Sequence, residues 1–104
     1  MLNRVMERML LCGVPVIGRD GAERREDIGE VRGTLVSRSA EETEEDGLDR
    51  AVQTVYAVIP DRYSPRGGFR RGMELHCADG GCCRVLTPVR CGAWWSLKCS
   101  RSWL

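Results

Sequence analysis

Long apolar runs are missing from this chain: no stretch approaches the roughly 20 residues that a membrane-spanning helix needs. An excess of charge of either sign is missing too. Sixteen Lys and Arg stand against 15 Asp and Glu, a net charge of +1, so no global field argues for a nucleic-acid or membrane partner. Histidine occurs once, as His76. A Cys–His nucleophile pair needs both side chains to converge, and in extended chain the adjacent Cys77 points the other way. The run Arg66-Gly67-Gly68-Phe69-Arg70-Arg71-Gly72 lacks the Lys-Ser/Thr that completes a phosphate loop. With these constellations absent, the chain is expected not to be an enzyme.

What is present is strand-like. At 104 residues the chain is expected to form one domain with a modest core. Gly13 to Gly18 has the look of a short edge strand, since Pro15 removes a ladder donor, and Asp20-Gly21 is a turn signal. Glu30 to Arg38 and Ala51 to Ile59 are rich in β-branched residues, and the second is apolar on both faces. Leu2, Val5, Met6, Met9 and Leu10 follow helical spacing, so a short N-terminal helix competes with a strand there. The segment Met1 to Cys12 has a weak lipoprotein-box character. Glu7 and Arg8 interrupt its apolar run, however, and Leu11 is bulky where a small residue is wanted. It reads as mature protein, which implies an intracellular setting with reduced thiols.

Two loops carry opposite charge. Residues 39–49 hold Glu41, Glu42, Glu44, Glu45 and Asp46, with almost nothing apolar, and read as a solvated mobile loop. Residues 61–72 hold Arg62, Arg66, Arg70 and Arg71 among glycines, and read as a second flexible loop. Residues 73–100 then alternate with period two as a three-stranded meander. Loops at Asp79–Gly81 and Arg90–Gly92 place Met73, Leu75, Cys77, Cys83, Val85, Trp95, Leu97 and Cys99 on one face. In that register Cys77, Cys83 and Cys99 form a single row across three strands. Glu74, His76, Arg84 and Trp94 lie on the wet face. Trp103 lies beyond the sheet. Exposed tryptophans mark an interface, or else another layer of the domain covers Trp94.

Five of the six cysteines fall between Cys77 and Cys99. Three readings compete. Zinc would take Cys77, Cys83 and Cys99 with Cys12 or Cys82, but the paired Cys-x(2–4)-Cys knuckles of structural zinc sites are not there. Disulfides would join Cys77 to Cys83 or Cys83 to Cys99. The third and preferred reading is free thiols acting as small core residues, with no cofactor.

The order of features suggests a family. Ala57-Val58-Ile59-Pro60 ends a strand, and a Gly-bearing loop leads to Gly72-Met73-Glu74-Leu75. Asp79-Gly80, Arg84-Val85-Leu86 and Trp95-Ser96-Leu97-Lys98-Cys99 follow. This pattern, over about residues 30 to 100, resembles the small head–tail connector proteins of tailed bacteriophages and prophages, of the head-closure or stopper type. Cys83 stands where an aromatic is common in that family. The resemblance implies an all-β fold, a small and partly open barrel of SH3-like size with long mobile loops. It also implies a homo-oligomeric ring in the neck of a virion, made in the bacterial host cytoplasm. Such a ring joins portal or adaptor to tail proteins and passes DNA through its lumen without reading its sequence. Residues 39–49 would then line the pore or reach a neighbour, where acidity keeps DNA from sticking. A tail terminator, a tail-completion protein and a zinc-stabilised binding module are the alternatives.

Overall fold

Residues Glu7–Cys12 form the first strand, β1, in which Met9 and Leu11 are buried while Leu10 is exposed. That alternation has period two, so the helical spacing of the N-terminal apolar residues does not produce a helix over these positions: the segment pays for its order by pairing on both sides. The computed structural model describes residues 6–37 and 52–103. The acidic segment with Glu41, Glu42, Glu44, Glu45 and Asp46 lies outside them.

Six strands close into a barrel in the order β1, β4 (Asp27–Ser37), β5 (Val52–Pro60), β8 (Trp94–Trp103), β7 (Gly81–Cys91) and β6 (Glu74–Cys77), with β6 returning to β1. The expected barrel was partly open. Closure comes from the two-sided pairing of β1. Two short strands, β2 (Val16–Ile17) and β3 (Glu23–Arg24), form a separate arm between β1 and β4.

Strand β4 serves two neighbours in succession. Its first part pairs with β1 as far as Gly33, and Thr34–Ser37 pair with β5. Gly33 sits at the changeover, where a Cβ would lie 2.6 Å from Ile59 Cγ1 and 2.7 Å from the Val58 carbonyl oxygen. Only glycine permits β4 to approach β5 so closely.

The core is drawn from every barrel strand: Met9 and Leu11, Val31, Val55, Ala57 and Ile59, Leu75 and Cys77, Cys83 and Val85, Leu97 and Cys99. The core face expected for the meander is correct, apart from Trp95, which is partly buried at the rim. The register is not. The β6–β7 turn uses Ala78-Asp79-Gly80, with Gly80 left-handed at φ 92° and its N–H donating to Cys77 O at 3.1 Å. Asp79 Oδ1 accepts from Gly81 N at 2.8 Å. Leu75 therefore opposes Cys83, and His76 opposes Cys82. The slip is two residues, so every side chain keeps its face and changes its partner.

The β7–β8 turn has Gly92 and Ala93 between its strands, with Gly92 at φ 63°, the left-handed first position of a type II′ turn. That turn alone would point Val85 away from the core. A bulge at Leu86, between Val85 and Thr87, restores it, and Val85 opposes Cys99. Cys83 opposes Arg101, so the single cysteine row does not form. Trp103 is also corrected: it lies within β8, opposite Gly81.

Candidate functional site

The outer face of the β6–β7 hairpin gathers most of the chemistry. Glu74 and His76, two apart on β6, point the same way. Cys82 stands across the ladder from His76, and Arg84 from Glu74. His76 Nε2 is 3.1 Å from Glu74 Oε1. One ligand atom each from Glu74, His76 and Cys82 falls within 4.8 Å of the others.

Glu74 is buried, and a buried carboxylate requires compensation. Arg25 supplies most of it. Its Nη2 lies 3.2 Å from Glu74 Oε2, while Nη1 donates to Gly13 O at 3.0 Å and Gly72 O at 2.9 Å. One guanidinium thus ties the base of the arm, the end of the Arg-rich loop and the carboxylate together. Arg84 Nη2 reaches the same oxygen at 3.5 Å from a largely exposed side chain. Partial burial, with Glu74 beside it, pushes the Cys82 thiol up to about 11.

The five cysteines considered for zinc are split by the barrel wall. Cys77, Cys83 and Cys99 face the core, whereas Cys12 is half-buried and its thiol contacts Asp27 Oδ1 at 3.6 Å. Register places Cys12 beside Glu74, on the outer side. Neither Cys12 nor Cys82, both on the outer side, converges with the three core thiols. Inside, the hydrogen bond shared with Cys77, followed by burial, raises the Cys83 thiol. Burial, with Cys77 nearby, pushes Cys99 up to about 12. All three behave as core residues.

The Arg-rich loop is more firmly built than its composition suggests. Phe69 is buried and meets Trp95 edge-on at 5.3 Å. Asp61, in the 3-10 turn Asp61–Tyr63, accepts from Trp95 Nε1 at 2.9 Å and pairs with Arg90 Nη2 at 3.0 Å. Gly68, at φ 81°, passes so close to Trp95 that a Cβ would sit 2.8 Å from the ring. This knot pins residues 61–72 to the end of the β7–β8 hairpin. Arg62, Arg66, Arg70 and Arg71 are exposed on it. Arg62 lies 4.8 Å above the Tyr63 ring. Arg71 alone of the four lines a groove of about 480 Å³ with Arg25, Arg84, Val14 and Pro15.

Trp94 is exposed at the start of β8. Trp103 is exposed at its end, with the Arg101 guanidinium 4.7 Å above its ring. Arg101 also pairs with Asp79 at 2.6 Å. The two tryptophans occupy opposite ends of one strand and do not form a single patch. Comparison with protein-family models, with characterised proteins and with solved structures finds no match to this chain. Among the described residues, no helix is long and apolar enough to cross a membrane.

Sequence reasoning missed Asp61, Phe69, Arg25 and the partnership of Glu74 with Cys82. Phe69 had a signal, as the single phenylalanine of the chain set among glycines. Arg25 had none, because Gly13, Gly72 and Glu74, which it joins, come from distant parts of the sequence.

Proposed function

We propose that this chain is a structural subunit that assembles into a ring of identical copies, of the head–tail connector kind, joining portal or adaptor to tail and lining or closing a DNA channel in a virion neck. The observation that carries the reading is the β2–β3 arm. It leaves the barrel between β1 and β4 with Val16 64% and Ile17 69% exposed. Adjacent strand residues face opposite ways, so both sides of the arm present uncovered apolar surface. The arm and the loops would make the contacts between copies.

Charge supports the same reading. An acidic segment at 39–49 and a basic one at 61–72 on a nearly neutral chain suit a head-to-tail contact, in which two different surfaces meet and rotation closes a ring. The features of the connector resemblance fall on β5 to β8 and their turns.

Negative-stain electron microscopy and native mass spectrometry of the purified protein test this. Closed rings with a central opening are expected, with assembly weakened by salt as the opposite charges are screened. A monomer at every ionic strength up to the solubility limit would sink the proposal.

A further inference from the structure

We infer that Glu74, His76 and Cys82 form a binding site for a zinc-type transition-metal ion on the outer face of the β6–β7 hairpin. The inference stands apart from the ring reading and does not depend on it.

The donor set decides the class of ion. One carboxylate oxygen, one imidazole nitrogen and one thiol sulfur make a borderline-soft set that suits zinc, cobalt or nickel and disfavours calcium and magnesium. The three donor atoms lie within 4.8 Å of one another. Bond lengths near 2.0–2.3 Å put tetrahedral ligands about 3.3–3.6 Å apart. Rotamer adjustment of about an ångström therefore closes the site around an ion, with the Cys82 proton released to solvent as the thiolate binds.

The backbone holds these donors in place. Glu74 and His76 are separated by one residue on a strand, and Cys82 is the ladder partner of His76. The turn between the strands is locked by Asp79, which accepts from Gly81 and pairs with Arg101. Sites carried on strands are more precise than sites on loops. Glu74 is oriented from behind: Arg25 holds Oε2 at 3.2 Å while Oε1 faces His76. That is the arrangement of an outer partner that turns a carboxylate toward a metal. His76 is exposed, so the fourth position opens to water.

Arg84 works against the ion. Its guanidinium, 3.5 Å from Glu74 Oε2, adds positive charge beside the site. It is not a ligand, and its removal is expected to tighten binding.

Cobalt(II) added to the full-length protein under a non-thiol reductant provides the test. One equivalent is expected to give thiolate-to-cobalt charge-transfer absorption with the visible bands of a four-coordinate ion, and one equivalent of zinc displaces it. Cys82→Ser is expected to abolish the charge-transfer band, and His76→Gln to weaken binding at least tenfold. Cys91→Ser should leave the spectrum as it is, and Arg84→Ala should lower the dissociation constant. Circular dichroism establishes that each variant is folded. The inference is overturned by the absence of stoichiometric binding. It is equally overturned by a charge-transfer band that survives in folded Cys82→Ser, which would place the metal on other thiols.

Discussion

A thiol inside this barrel is a titratable group that the fold keeps from titrating. Cys99 is fully buried, and burial above all, with Cys77 adding to it, pushes its pKa from 9.0 to about 12. Below about pH 9 the thiol is protonated in both the folded and the unfolded chain, and its contribution to stability is complete. Above that, the unfolded chain loses the proton and the folded chain keeps it, so stability falls as pH rises from about 9 toward 12. The slope from one such thiol is at most about 1.4 kcal/mol per pH unit. Urea unfolding of the wild type and of Cys99→Ala across this range should give curves that converge as pH rises, because the variant is weaker at neutral pH but lacks this loss. Parallel curves would show that Cys99 does not carry the effect.

Among the elements, β4 depends most on one residue. Gly33 lets it leave β1 and join β5, and a methyl group there would press on Ile59 and on the Val58 carbonyl. Backbone cannot yield as a flexible side chain can, so Gly33→Ala is expected to cost about 1–3 kcal/mol. The midpoint of denaturant unfolding should fall with an unchanged slope. An unaltered midpoint would mean that β4 relaxes around the new methyl. The β6–β7 hairpin teaches a related lesson about turns. Asp79-Gly80-Gly81 offers two glycines, either able to take the left-handed position, and the choice of Gly80 moves every partner by two residues. Alternation along Met73 to Cys77 reveals which side is core but cannot distinguish registers that differ by two. The candidate metal site rests on that undistinguished difference, since in the other register Cys82 would oppose Ala78.

At the scale of the molecule, assembly and folding should be separable. Val16 and Ile17 contribute nothing to the barrel core. Replacing Ile17 by Asp is therefore expected to change monomer stability by no more than about 0.5 kcal/mol, while abolishing ring assembly. Mass photometry beside thermal unfolding reads both. Rings that persist in the variant would remove the arm from the interface and leave the charged segments to explain it.

Period-two alternation with β-branched residues determined, within the sequence alone, that this is an all-β chain with Leu75, Cys77, Cys83, Val85, Leu97 and Cys99 inside. Glycine and aspartate marked its turns to within a residue or two. These properties are local, and neighbours a few positions apart express them. Closure of the barrel, the corner at Gly33, the burial of Phe69 under Trp95 and the joining of Arg25 to Glu74 depend on which strands meet and at what offset. Tertiary structure alone decided these, because pairing energy is collected between residues distant in sequence, and a shift of two along a strand leaves its pattern of faces unchanged.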